Sequence, residues 1–156
     1  MNTNPLLETA GLPLFDQIKP EHVTPAMDVL LKQAEEALEK VVGPDVPPDY
    51  DTLSLLLDVA TENLGRAWGA VGHLNSVADT PELRAVYNEN LPRLTEFYTR
   101  LGADERLYAK YKALAQSDQG RNLPPARARA LENALRGFVL GGAELQGEAR
   151  ERFAEI

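Results

Sequence analysis

Cysteine is missing altogether, which removes disulfides, thiolate metal sites and any Cys–His nucleophile. Histidine is nearly missing, with His22 and His73 its only occurrences. Positive charge is in deficit: 16 Lys and Arg stand against 24 Asp and Glu, a formal charge of −8. A field of that sign repels polyphosphates, because nucleic-acid binding depends on Lys and Arg displacing counterions. No nucleic-acid partner is therefore expected. No window approaches the roughly 18 consecutive apolar residues of a membrane span, so no membrane partner is expected either. The opening Met1-Asn2-Thr3-Asn4-Pro5 lacks the basic and apolar stretches of a secretory signal, and a cytoplasmic location is the expectation.

What is present fits a globular chain. Its 156 residues are 44% hydrophobic and 26% charged, long enough and apolar enough to bury a core. Pro5, Pro13 and Pro20 punctuate the first 23 residues and forbid a long helix there. Leu6, Leu7, Leu12, Leu14, Phe15 and Ile18 are too apolar for a free tail. These residues predict an extended arm, 1–23, laid across the surface of something larger.

Helix signals follow from residue 24 onward. Thr24-Pro25 reads as an N-cap with proline at the first helical position. Ala26, Leu30, Ala34, Ala37 and Val41 recur at helical spacing as far as Gly43-Pro44. After the rigid Pro47-Pro48-Asp49 linker, Asp51 is the expected cap of a helix reaching about Val77. Thr80-Pro81-Glu82 opens a third, with Leu83, Tyr87, Leu91, Leu94 and Tyr98 on one stripe. Pro92 lies inside it and predicts a kink or break. Gly102 and Asp104 close that helix and cap a fourth carrying Leu107, Tyr108, Tyr111 and Leu114. A further one runs from about Pro125 to Leu140, with Ala128, Leu131, Leu135 and Phe138 inward, and stops at Gly141-Gly142. From about Gly147 the pattern is helical again, through Ala149, Phe153 and Ile156, and ends without a cap. The expectation is a chain cut mid-helix. No segment alternates with period two, so the fold class is all-α: about five to six helices over 24–156, preceded by the arm, as one region.

The residues that could carry chemistry do not assemble into a motif. His22 has no partner at i+3 or i+4, and the i−4 and i+4 neighbours of His73 are Gly69 and Val77. A helical zinc site needs two ligands on one face, as in H-E-x-x-H, and that motif is absent. His73 is expected to be buried or partly buried and hydrogen-bonded. Glu35, Glu36 and Glu39 near Lys32 and Lys40 read as an exposed face with i,i+4 pairs. Arg121, Arg127, Arg129 and Arg136 read as a solvated face. No catalytic, cofactor-binding or metal-ligating residue is nominated. The oddest stretch is Gly65-Arg66-Ala67-Trp68-Gly69-Ala70-Val71-Gly72. Gly65, Gly69 and Gly72 share a face with Thr61 and Ser76, beside an apolar stripe of Leu57, Ala60, Leu64, Trp68, Val71 and Leu74. Interior glycines cost about 1 kcal/mol each relative to alanine. The first explanation is close approach of a neighbouring helix, with burial on more than one side. The alternative is a backbone face lining a peptide channel.

Asn4-Pro5-Leu6-Leu7, Ile18-Lys19-Pro20-Glu21-His22-Val23 with Pro25-Ala26, His73-Leu74-Asn75-Ser76-Val77, Pro81-Glu82-Leu83-Arg84 and Ala134-Leu135-Arg136 with Phe138 together resemble, in that order, the opening of a thimet-oligopeptidase-like zinc metallopeptidase. The resemblance covers essentially the whole chain. It implies an almost wholly helical protein with a deep channel that admits short peptides. It also implies zinc held by the histidines of H-E-x-x-H and a downstream glutamate, with the motif's glutamate activating water. None of those residues has a counterpart here. The resemblance thus implies a channel-wall region, inactive alone, whose partners are the remainder of the peptidase and, in the whole protein, short peptides. A stand-alone helical interaction module without enzymatic activity is the alternative; a complete small enzyme finds no support.

Overall fold

The computed structural model describes residues 4–154, and every regular element among them is helical. A 3-10 turn, Pro5–Leu7, precedes α1 (Pro20–Val42), α2 (Tyr50–Leu53), a π-helical turn (Ser54–Asp58) and α3 (Val59–Val77). Then come α4 (Pro81–Gly102), α5 (Glu105–Gln116), α6 (Asp118–Arg121), α7 (Pro125–Leu140) and α8 (Glu148–Ala154). The all-α expectation holds. Its final residue, Ile156, lies outside the described residues, as do Met1, Asn2 and Thr3. The chain divides into two compact units: unit 1 takes the stretch up to Ala37 and Leu56–Phe97, and unit 2 takes Leu38–Leu55 and everything from Tyr98 on.

In unit 1, α1 starts one turn earlier than expected. The Lys19 N–H donates to His22 Nδ1 at 3.1 Å, and the His22 N–H donates back to the Lys19 carbonyl at 3.0 Å. The first bond is the N3-side-chain half of a capping box, with imidazole where a carboxylate usually stands, and the second is a backbone turn. Thr24-Pro25 therefore lies inside the helix. Pro25 and Glu21, whose carbonyl the proline leaves unmatched, are both exposed, so water can serve that carbonyl. Val23, Ala26, Met27, Ala34, Leu64 and Val71 have 0% exposure and form the apolar centre with Leu83, Leu94 and Phe97.

The buried face of α4 keeps Leu83 and Leu94 of the expected stripe and takes Asn90 and Phe97 in place of Leu91 and Tyr98. Leu83, Asn90, Leu94 and Phe97 are buried, while Leu91 and Tyr98 are 38% and 39% exposed. Asn90 has 0% exposure and is nonetheless well bonded. Its Nδ2 donates to Thr24 Oγ1 at 2.9 Å and to the Val86 carbonyl at 2.8 Å. Its Oδ1 accepts from Arg93 Nη1 at 2.8 Å, and Arg93 Nη2 reaches Asp28 at 2.6 Å. Of the kink or break expected at Pro92, no break occurs: the helix is continuous from Pro81 to Gly102. Pro92 and Asn88, whose carbonyl loses its partner, both face solvent, which lowers the cost of the missing bond.

In unit 2, Asp49 rather than Asp51 caps α2, accepting the Thr52 N–H at 2.9 Å. Asp49 has the extended backbone that a cap needs, and Asp51 instead pairs with Arg127 at 2.9 Å. Asp104 caps α5 as expected, accepting from Arg106 N–H and Leu107 N–H. The short α6, which the sequence pattern does not announce, is capped by Ser117 through the Gly120 N–H at 3.0 Å. The rings of Tyr108 and Tyr111 lie 5.6 and 5.5 Å from that of Phe138, joining α5 to α7.

The end of α7 shows why two glycines stand together. Ala143 N–H reaches the Phe138 carbonyl and Gly142 N–H reaches that of Val139, at 2.9 and 3.2 Å, the paired bonds of a Schellman motif. Gly142 has φ +86°, and a Cβ there would also sit 3.0 Å from the Phe153 ring. A Cβ on Gly141 would come within 2.6 Å of the Gly102 carbonyl oxygen.

Candidate functional site

Each residue singled out in the sequence has a definite place. His22, half-buried, spends its Nδ1 on the α1 cap. His73 is exposed, contrary to expectation, with its ring tilted 55° against that of Phe15 at 5.2 Å. The arm supplies that partner. Asn4 Nδ2 donates to the His22 carbonyl at 2.7 Å, Leu6 is buried, and Arg66 Nη2 holds the Gly11 carbonyl at 2.5 Å. The arm thus lies partly on α3 of its own unit, while Leu12 stays 85% exposed.

The glycine face of α3 does not pack as expected. Gly65 and Gly69 are exposed, and a Cβ on Gly69 would meet nothing within 4 Å. At Gly72 it would just reach the Tyr87 ring, at 4.0 Å. Close helix approach therefore does not explain Gly69, and α3 is not buried on that side. Its buried side carries Leu64, Ala67, Ala70 and Val71, flanked by Trp68 stacked on Tyr87 at 4.7 Å. Thr61 and Ser76 turn their hydroxyls back onto their own helix, to the Leu57 and Gly72 carbonyls at 3.0 and 2.9 Å. The face therefore presents a smooth, weakly polar strip of backbone. Next to it, Asn75 Oδ1 is buried without a hydrogen-bond partner.

The arginine face is solvated, as expected. Arg121 pairs with Asp118 at 2.5 Å, and Arg129 and Arg136 share Glu132 at 2.7 and 3.4 Å. Lys32 and Glu36 lie 3.8 Å apart, both exposed. Glu39 does more than decorate its helix, because Arg106 grips both its oxygens at 2.7 and 2.9 Å and also holds Asp104 at 2.7 Å. The Arg106 hydrogen bonds keep the Glu39 carboxyl below the usual range. At Asp104 burial pushes the carboxyl up, but Arg106 and the backbone N–H of Leu107 outweigh it and the net shift is downward. The guanidinium of Arg106 is correspondingly harder to deprotonate.

One concavity is not foreshadowed by any motif. Tyr108, Lys112, Ala115 and Gln116 of α5 face Leu135, Arg136 and Val139 of α7 across a groove of about 330 Å³. The Tyr108 hydroxyl donates to Glu144, which raises the phenol's pKa through that bond and, to a lesser degree, burial and the neighbouring negative charge. Among the described residues no three His, Asp or Glu side chains gather as metal ligands, so these residues do not fit a zinc site.

Residues 27–150 match the family described as Neurolysin/Thimet oligopeptidase, N-terminal domain, and the chain belongs to that family. It is 42% identical over 154 residues to oligopeptidase A of Salmonella typhimurium, covering 99% of this chain and 23% of that protein. Oligopeptidase A of Escherichia coli is likewise 42% identical over 154 residues, with 99% and 23% covered. The probable cytosolic oligopeptidase A of Arabidopsis thaliana is 37% identical over 159 residues, with 100% and 22% covered. The resemblance read from the motifs is borne out: the chain is similar to an N-terminal segment of oligopeptidase A, and it spans less than a quarter of these relatives' length. No helix among the described residues is long and apolar enough to cross a membrane.

Proposed function

We propose that this chain is a single N-terminal region of a zinc-dependent oligopeptidase that degrades short peptides, forming part of the wall and rim of the substrate channel. The observation that carries the reading is the unbroken similarity to oligopeptidase A over 99% of this chain but 23% of the relative. The zinc ligands and the water-activating glutamate then belong to the remainder of the peptidase, which is the region's principal partner. A cytoplasmic location fits the relative whose name includes "cytosolic". The exposed glycine strip of α3, free of side chains that would snag a peptide, is the surface best suited to line a channel.

The test has two parts. Residues 1–156 alone are expected to cleave no internally quenched short peptide, with or without added zinc. The same residues joined to the rest of their reading frame, which should contain H-E-x-x-H, are expected to cleave it and to stop when zinc is chelated. Zinc-dependent cleavage by residues 1–156, or a reading frame that ends at Ile156, overturns the proposal.

A further inference from the structure

The groove between α5 and α7 has the makings of a binding site in its own right. Its floor is aliphatic, from Ala115, Leu135 and Val139, and Tyr108 forms one wall. Val139 is 46% exposed, so part of the apolar lining is open to solvent. The lips carry one cation from each helix, Lys112 and Arg136. Lys112 lies 4.9 Å from the centre of the Tyr108 ring and 3.8 Å from Glu144. Arg136 lies 3.4 Å from Glu132, which also serves Arg129 at 2.7 Å.

Those pairs are solvent-exposed, with side-chain exposures from 49% to 63%, and exposed pairs of this kind contribute little. An incoming carboxylate can exchange into them at small cost. Local charge also runs against the whole chain: one glutamate serves two arginines on α7 in a protein of net charge −8. An apolar lining with one cation from each helix complements a short chain that presents alternating apolar and acidic side chains. From Tyr108 to Gln116 the groove runs roughly 12 Å along α5, the length of about four extended residues.

We propose that this groove binds a free acidic amphipathic peptide, its apolar side chain on Val139 and Leu135 and its carboxylates on Lys112 and Arg136. The readout is binding to residues 1–156, so the proposal stands or falls independently of the peptidase reading. The probe is a fluorescein-labelled hexapeptide alternating Leu and Glu, followed by fluorescence anisotropy, with Leu-Lys and Ser-Glu hexapeptides as controls. The Leu-Glu peptide is expected to bind at least about tenfold more tightly than either control, a difference worth one good charge or apolar contact. Added salt is expected to weaken it. Val139→Glu and the double variant Lys112→Glu/Arg136→Glu are each expected to lose about tenfold, and the double variant to prefer the Leu-Lys peptide. All three positions are on the surface, and unchanged far-UV circular dichroism confirms folding; Val139→Ser replaces Val139→Glu if it does not. Equal binding of the three peptides, no binding, or binding indifferent to these substitutions overturns the proposal. Self-association that Val139→Glu abolishes, without peptide binding, overturns it in favour of a second copy of the chain.

Discussion

Unit 1 centres its principal polar tie on a buried neutral amide, Asn90 at 0% exposure between Thr24, Val86 and Arg93, with one charged pair, Arg93 to Asp28, at its outer edge. Unit 2 is tied by charged groups at the surface instead: Arg106 on Glu39 and Asp104, Arg127 on Asp51, Arg150 on Glu105, and Lys110 on the carbonyls of Gly43 and Val46. Buried amides respond little to pH or salt, because nothing in them titrates and the surroundings exclude ions. Surface carboxylates respond to both. The two units should therefore fail under different stresses, and Trp68, the single tryptophan, reports on unit 1.

The largest effect is expected at the centre of unit 1. Phe97 is 1% exposed, and Phe97→Ala should cost about 3–5 kcal/mol in urea denaturation, from lost burial and the cavity left behind. Next comes Asn90→Leu, which keeps the branched shape, adds bulk, and takes the amide partner from Thr24 Oγ1 and one arm of Arg93. A loss of about 1–3 kcal/mol is expected, nearly independent of pH and salt. Because the groups act together, Asn90→Leu with Thr24→Val should lose less than the sum of the two changes. Additive losses would show that the amide is not the hub of that network.

Unit 2 gives the smaller, condition-dependent effects. Asp104→Ala removes the cap from two N–H groups of α5 and should cost about 0.5–2 kcal/mol near neutral pH. Asp104, Glu39 and Asp49 are all held below the usual carboxylate range. At Asp49 the Thr52 side chain and then its backbone N–H are the main causes. Because the folded carboxyls titrate below the unfolded ones, their stabilisation is fully present above about pH 5. It is lost as pH falls through the lower folded values. Wild type and Asp104→Ala should thus converge in stability as pH falls through the lowered folded value of Asp104, while the gap between wild type and Asn90→Leu persists. An Asp104→Ala deficit that stays constant across acid titration would break the contrast between the units.

That contrast was only half legible in the sequence. The caps at Asp104 and the stop at Gly141-Gly142 were readable because one residue type with one backbone geometry performs each task. Asn90 was not readable: on periodicity Leu91 is the better core residue, and only Thr24 and Arg93 arriving at 2.9 and 2.8 Å make a buried amide the better choice. The true start of α1 was hidden because Lys19 and His22 do the capping, neither being a usual cap residue. The helix continues through Pro92 with the freed Asn88 carbonyl at the surface, a placement that sequence spacing does not give. The α5–α7 groove is made of ordinary residue types brought from stretches about 20 residues apart, and no local pattern marks it. Close helix approach is the first explanation for the glycine face because glycine within a helix usually signals contact, but Gly69 meets open space, and His73 is exposed where burial or partial burial is expected.

The glycine face supplies the last and smallest prediction, and its sign is the informative part. A Cβ on Gly69 meets open space, whereas one on Gly141 meets the Gly102 carbonyl oxygen at 2.6 Å. Alanine is about 1 kcal/mol better than glycine inside a helix. Gly69→Ala in unit 1 should therefore stabilise the chain by about 0.5–1 kcal/mol, seen as a raised Tm. Gly141→Ala in unit 2 should lower the Tm, because one backbone must move away from another. Natural chains commonly sit below their stability optimum, so a demand other than folding is shown only by a cost to function. If that demand is a smooth wall for peptides, Gly69→Ala in the full-length peptidase should reduce cleavage of short peptides while raising the Tm. A stabilised enzyme with unchanged cleavage would remove α3 from the peptide path and leave the glycine strip without a role in catalysis.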